Sequence, residues 1–310
     1  MTGGTQTQSG WSDWEALPLR LGDAVLTETL DGGQAFRWAR RPGGIWQGVW
    51  SGVAARLRLD GAGRLHASLS APPAPGAAAA LRRYLALDTD FEALADTLPR
   101  RTDKHLAASI GCFPGLRILR QPFGETLFSF LCSATKQILQ IKQMVALVAE
   151  RHGPRLSGDP AAGSGLPGWE AIAALSEADL RLCLLGFRAR HVHGVARFLA
   201  ARPGWLEETE SLPYPAAKER LLLLPGVGEK IADCVLLFGA GRLEAFPVDV
   251  WILRAMADRY GLVGWKPAQV AHFGRVHFGQ LAGLAQQYLF AYERSQRPNR
   301  RPAGNPTPGS

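Results

Sequence analysis

An α+β architecture, with a β-rich N-terminal unit packed on a larger helical domain, is predicted by three features of the sequence. Between Leu19 and Leu69, Gly and Asp punctuate short alternating or β-branched stretches: Asp23 to Leu30, Ile45 to Trp50 and Val53 to Leu59. Such runs read as antiparallel strands. The segment Ala71 to Ala80 (APPAPGAAAA) then reads as a linker running into a helix. From there to Glu293 apolar residues recur every three or four positions, the spacing of helices with one buried face. The expected organisation is a flexible N-terminus (1–10), a β-rich domain (11–100), a helical domain (101–295) and a disordered tail (296–310). No fixed-period repeat is present, which excludes solenoids and propellers.

The helical stretches follow in order. Leu81 to Leu87 and Phe91 to Leu98 have helical spacing, and Glu125 to Glu150 reads as one long helix through Leu127, Leu131, Ala134, Ile138, Ile141, Val145 and Val148. After a Gly/Pro-rich break from Gly153 to Gly168 come Trp169 to Leu185, Arg190 to Ala201 and Pro215 to Leu224. Gly279 to Glu293 is the last periodic segment. The closing RSQRPNRRPAGNPTPGS is too polar and Pro-rich to pack.

Composition narrows the function. With 310 residues, 46% of them hydrophobic, the chain buries a core, and 35 Lys and Arg against 27 Asp and Glu give a net charge of +8, which favours an acidic partner such as nucleic acid. No apolar run approaches the ~18 residues of a membrane span, and MTGGTQTQSG lacks a signal peptide's basic and apolar regions. The expectation is a soluble protein with no membrane partner, cytoplasmic and nucleoid-associated in a prokaryote. Cys112, Cys132, Cys183 and Cys234 stand singly, which argues against a zinc ribbon or iron-sulfur site and for reduced, mostly buried thiols.

The chemistry concentrates in Leu221 to Val250, LLLLPGVGEKIADCVLLFGAGRLEAFPVDV. A helix meets Pro225, Gly226, Val227 and Gly228, and a second helix starts near Glu229, giving a helix-hairpin-helix over residues 214–240. The two glycines let the backbone approach a phosphate, and the free N–H groups of the second helix supply donors at its positive end. Such a hairpin grips a DNA backbone without reading sequence. Lys230 lies in the first turn of the second helix, and Asp249 follows 19 residues later, after Pro247. An amine nucleophile and a carboxylate that return to one cleft suit attack at a sugar C1′ through an oxocarbenium-like transition state.

This segment resembles the helix-hairpin-helix glycosylase superfamily, through L-P-G-V-G-E-K-I-A-D-C and F-P-V-D-V, and the lysine matches its bifunctional members. The chain is more specifically similar to 8-oxoguanine DNA glycosylase/AP lyases of the eukaryotic type, through G-Q-A-F-R-W (Gly33 to Trp38), L-F-S-F-L-C-S (Leu127 to Ser133), G-F-R-A-R (Gly186 to Arg190) and A-Q-Q-Y-L-F (Ala285 to Phe290). The resemblance spans Leu19 to Glu293. It implies base excision from double-stranded DNA with the lesion base flipped into a pocket. There the Gly33 carbonyl would meet the N7–H that only oxidised guanine carries, Cys234 and Phe290 would sandwich the base, Gln286 would bond its Watson-Crick edge and Phe238 would line the wall. Lys230 would form a Schiff base and Asp249 would stabilise the sugar cation. No cofactor is required, although the backbone carbonyls of Leu222, Leu224 and Val227 are placed for a monovalent or calcium ion, and a monomer is the default.

The sequence departs from that family on the side facing the opposite base. Where the family has an asparagine run after F-S-F-x-C-S, this chain has Ala134, Thr135, Lys136 and Gln137, so Thr135 takes the place of the residue that fills the gap beside the estranged cytosine. Arg188 keeps the cytosine-facing arginine, Phe187 replaces a wedge tyrosine, and Trp251 replaces a phosphate-contacting histidine. Two rivals are a monofunctional glycosylase for alkylated bases, which usually lacks the lysine, and a non-catalytic hairpin protein, which needs neither Lys230 nor Asp249. A thymine-glycol enzyme with a C-terminal four-cysteine cluster is excluded, since no cysteine follows Cys234. Discrimination among the four bases opposite the lesion is expected to be weaker than in members that retain the asparagine; strand cleavage on four duplexes differing only at that base checks this.

Overall fold

The computed structural model describes residues 10–71, 73–156 and 162–296. The expected N-terminal and C-terminal tails, apart from residues 10 and 296, lie outside the described residues. Strands β1 (Glu15–Arg20), β2 (Trp38–Arg41), β3 (Ile45–Trp50), β4 (Val53–Leu59) and β5 (Arg64–Leu69) form an antiparallel sheet of order β1-β5-β4-β3-β2. The last four are a meander, and β1 closes on β5. The β3–β4 connection is Ser51-Gly52, with φ of 40° and 77°, the doubly positive pair that a two-residue hairpin requires. The Ser51 amide donates to Glu125 Oε1 at 2.7 Å. That bond ties the sheet to the helical part.

One expected strand is a helix. Asp23 to Leu30 forms α1 (Asp23–Asp31), burying Val25, Leu26, Thr29 and Leu30. These sit at i, i+1, i+4 and i+5, one face of a helix, so helical burial overrides the β-branched composition. The other helices are α2 (Ala77–Tyr84), α3 (Phe91–Thr97), α4 (Lys104–Cys112), α5 (Phe123–Leu131), α6 (Ile138–His152), α7 (Trp169–Ala173), α8 (Glu177–Leu182), α9 (Arg188–Ala200), α10 (Trp205–Ser211), α11 (Tyr214–Leu222), α12 (Glu229–Phe238), α13 (Val250–Tyr260), α14 (Pro267–Phe278) and α15 (Ala282–Gln296). Among the described residues no helix is long and apolar enough to cross a membrane.

Two further expectations are corrected by breaks. The long helix from Glu125 to Glu150 is two, α5 and α6, separated at Cys132 to Gln137 where Thr135 has φ 56°. The stretch Trp169 to Leu185 is likewise divided, because Ser176 and Asp179 form a reciprocal capping box that starts α8 afresh. Around these, α12 is the central strut: every residue from Ile231 to Phe238 is buried, against α5 on one side and α11 on the other. An ionic cluster around the buried Asp233 fixes the α11–α12 pair, with Lys218 bonded to Asp233 (2.9 Å) and to the exposed Glu229 (2.6 Å), and the Tyr214 hydroxyl donating to Asp233 (2.7 Å).

In the sheet, Trp38 is 1% exposed and its indole N–H donates to the Tyr84 hydroxyl at 3.0 Å. Gly48 pairs with Trp38 across the ladder, and a Cβ there would lie 2.4 Å from the indole ring. Gly48→Ala is therefore expected to destabilise the fold by about 1 to 3 kcal/mol through overpacking, read as a lower denaturation midpoint at unchanged slope.

Candidate active site

The hairpin between α11 and α12 is built as the sequence requires. The Val227 amide closes the turn on the Leu224 carbonyl at 3.1 Å, with both side chains buried. Gly226 has φ 79°, and a Cβ on it would come within 2.6 Å of the His191 ring. Conformation and space both demand glycine there. Gly228 caps α12 and a Cβ on it would meet nothing within 4 Å, so this backbone faces open space at the positive end of a helix. Pro247 is buried, and Trp251 is half-buried with the Arg254 guanidinium 5.8 Å from its ring.

Lys230 projects from the first turn of α12. Its Nζ donates to Ser133 Oγ at 3.2 Å and lies 5.0 Å from the centroid of Phe130, both brought by the end of α5. Lys230, Cys234 and Phe238 succeed one another at i, i+4 and i+8, one face of the helix. Phe238 stacks on Phe130 (5.6 Å, 17°), so the amine sits above an aromatic floor. Burial pushes the Cys234 thiol up to about 12, against the opposing pull of the Lys230 charge. Cys234 is thus a neutral, apolar wall rather than a competing nucleophile.

Asp249 arrives from the other direction as the cap of α13, its Oδ1 accepting from the amides of Trp251 (3.0 Å) and Ile252 (2.9 Å). Burial raises its carboxyl above the ordinary 3.8, while those amides and the charges of Lys230 and Arg294 pull the other way. The 19-residue separation therefore closes into an electrostatic pair. An amine and a carboxylate that share a partly desolvated cleft have the means for nucleophilic attack and for stabilising a cation.

A second wall comes from the N-terminal domain and α15. Gly33 has φ 110°, and a Cβ there would lie 3.0 Å from Ile138 Cδ1 and 3.7 Å from Phe290 Cε1. Its neighbour Gln34, 0% exposed, donates to the Arg117 carbonyl and accepts from the Leu119 amide, both at 2.9 Å, which locks the Gly33 backbone. Gln286 and Phe290, one turn apart on α15, share a face. Gln286 is buried and its Oε1 has no hydrogen-bond partner. A buried acceptor left open is costly unless something fills it. Arg294 closes the wall: its guanidinium lies 5.3 Å from the Phe290 ring and donates to Glu28 (2.9 Å) and the Gly32 carbonyl (2.5 Å).

The residues expected to face the opposite base lie in two turns stitched together. Arg188 is 2% exposed; its guanidinium donates to the Ala134 carbonyl, to Thr135 Oγ1 at 2.9 Å and to the Leu185 carbonyl at 3.3 Å. In this state the arginine is engaged with its own chain, while Phe187 projects, 48% exposed, and Thr135 is exposed. His191 joins this turn to the hairpin, edge-on to Phe187 at 6.3 Å and against Gly226. Burial, then the charges of Arg190 and Arg188, holds its pKa below the usual 6.5, and its Nε2 accepts from Arg190 at 3.2 Å. Ser133, Phe130, Gln34, His191 and Arg294 are the neighbours that sequence reasoning missed; the first three lie inside matching motifs, which hinted at them, while His191 and Arg294 lie just outside and carried no signal.

Among the described residues no three His, Cys, Asp or Glu side chains gather into a metal site. The family model for the N-terminal domain of 8-oxoguanine DNA glycosylase matches residues 16–127. N-glycosylase/DNA lyase OGG1 of Arabidopsis thaliana is 30% identical over 301 residues, covering 92% of this chain and 82% of that protein. A probable N-glycosylase/DNA lyase of Methanothermobacter thermautotrophicus is 29% identical over 213 residues, 62% of this chain and 68% of its own. The Clostridium acetobutylicum 8-oxoguanine glycosylase/lyase, solved with double-stranded DNA containing cytosine opposite 8-oxoG, superposes with a TM-score of 0.82 at 28% identity, over 93% of this chain and 99% of that one. The chain belongs to the 8-oxoguanine DNA glycosylase/lyase family of helix-hairpin-helix proteins.

Proposed function

We propose that this chain is a monomeric base-excision enzyme that removes 8-oxoguanine from double-stranded DNA and then nicks the strand. The observation that supports the reading is the Lys230 amine held at Ser133 Oγ over Phe130, with the buried Asp249 carboxyl within reach of its charge and the buried Gln286 Oε1 without an internal partner. The hairpin backbone and the start of α12 hold phosphate, and the lesion nucleotide swings into the pocket. The Gly33 carbonyl selects the N7–H of the oxidised base, Gln286 Oε1 accepts from its Watson-Crick edge, and Cys234 and Phe290 flank its faces with Phe238 behind.

The Lys230 amine attacks C1′ as the glycosidic bond breaks and the base leaves with the bonding pair. The Asp249 carboxylate stabilises the positive charge that grows on the sugar, and Ser133 Oγ orients Nζ. The amine gives up a proton and the C1′–O4′ bond opens, its pair leaving with O4′ as a hydroxyl, to give the Schiff base; this acidifies C2′, whose proton is lost as β-elimination expels the 3′ phosphate. Phe187 wedges the stack, with Arg188, Thr135 and Trp251 on the opposite-base and backbone side. A monovalent or calcium ion at the Leu222, Leu224 and Val227 carbonyls would tighten the hairpin against phosphate; Leu224 O, already bonded to one amide, keeps a second lone pair for it.

The decisive test is borohydride trapping on a duplex with one 8-oxoguanine opposite cytosine, beside unmodified and alkylated-purine duplexes. An adduct on the first alone supports the reading, and Lys230→Gln should abolish both adduct and base release while retaining most of the affinity, which rests on phosphate contacts. Full activity in that variant overturns the mechanism.

Asp249→Asn should eliminate excision yet keep α13 capped. Because burial raises the Asp249 pKa, the folded state binds this proton more tightly than the unfolded state, and ionisation costs stability as pH rises from 3.8 through the folded value. The variant is therefore expected to be more stable than the parent near neutral pH, with the gap narrowing as pH falls, by denaturant titration at several pH values.

A further inference from the structure

Leu184 combines two costs on the turn that also carries Phe187 and Arg188. It adopts φ 65°, a left-handed conformation that bulky L-residues disfavour, and its side chain is 50% exposed. Gly186, two residues on, meets the same backbone demand with φ 57° and no side chain at all. The neighbours on either side, Cys183 and Leu185, are both 0% exposed and anchor the turn. Leu184 is thus splayed outward between two pinned residues, and Phe187 projects from the same turn at 48% exposure.

The turn is fixed on the DNA side by three contacts. Arg188 bonds the Leu185 carbonyl and the Ala134–Thr135 break, and Phe187 packs on His191, which sits on hairpin Gly226. Two large apolar side chains therefore stand exposed on one braced turn, which Phe187 and His191 tie to the hairpin. Taking one nucleotide out of a duplex leaves a hole in the stack, and apolar side chains inserted at such a step compensate for part of the unstacking cost.

We infer that Leu184 is a second wedge residue, which enters the base stack with Phe187 at the position vacated by the flipped nucleotide. The inference rests on the excision reading above. It accounts for both costs at once, since a left-handed, exposed leucine gains apolar contact only when DNA is bound. It also supplies bulk on the side where Thr135 is shorter than the family's asparagine.

The test is single-turnover excision by the full chain on two substrates, 8-oxoguanine paired with cytosine and the same lesion in a one-nucleotide bulge with no base opposite. Leu184→Gly suits the local backbone, so its melting temperature should equal or exceed the parent's. It is expected to slow excision from the paired duplex about tenfold while leaving the bulged substrate, where no stacked pair need be opened, near the parental rate. Leu184→Met, which keeps apolar reach, should restore the paired rate. Parental excision of the paired lesion by Leu184→Gly would overturn the inference and mark the exposed leucine as serving another contact. Equal slowing on both substrates would also overturn it, in favour of a structural role. A parent chain inactive on both substrates would instead bring down the excision reading.

Discussion

The buried guanidinium of Arg188 is the tie on which the DNA-facing side depends. By donating to the Ala134 carbonyl and the Thr135 hydroxyl it holds open the break between α5 and α6. That break sets Ser133 against the Lys230 amine and Ile138 against Gly33. A cation removed from water needs its donors satisfied, and backbone carbonyls do so without a second buried charge. Lys230, the Gly33 turn and the Phe187–Arg188 turn thereby share one fixed reference.

Much of this was legible in the sequence, because the hairpin and its flanking P-V-D segment are local signals. Glycines at a turn, a lysine one residue into a helix and an aspartate after a proline state their geometry without tertiary help. The α5–α6 break was hidden because Ala134 and Ile138 keep the apolar rhythm running through it; Gln137 and Gln140 start α6 afresh with a capping box, and Arg188, more than fifty residues away, braces the gap. Helix α1 was obscured by β-branched residues whose burial pattern fits a helix once the sheet lies beneath it. The second layer, Gln34, Phe130, Ser133, His191 and Arg294, acts through contacts between distant segments, which no periodicity encodes.

Stability and function pull in opposite directions at identifiable atoms. Away from the site most buried polar side chains find partners, as with Trp38 on Tyr84 and Lys218 on Asp233, although the Trp46 indole N–H in β3 does not. The site leaves Asp249 with a desolvated carboxyl, Gln286 with an open acceptor, and Thr135 and Leu184 with left-handed backbones. Local frustration of this kind persists where the surrounding structure over-determines it. Here the bracing comes from Arg188, Gln34 and the buried length of α12.

Arg294 also constrains how such a protein can change over generations. It touches the Gly32 carbonyl beside Gly33, lies over Phe290, and contributes to the field at Asp249. Remodelling the turn at Gly33 would also alter the charge around Asp249 through this one side chain. The turn at Gly32 and Gly33 and the charge around Asp249 are thereby coupled, so that a change in one is felt by the other.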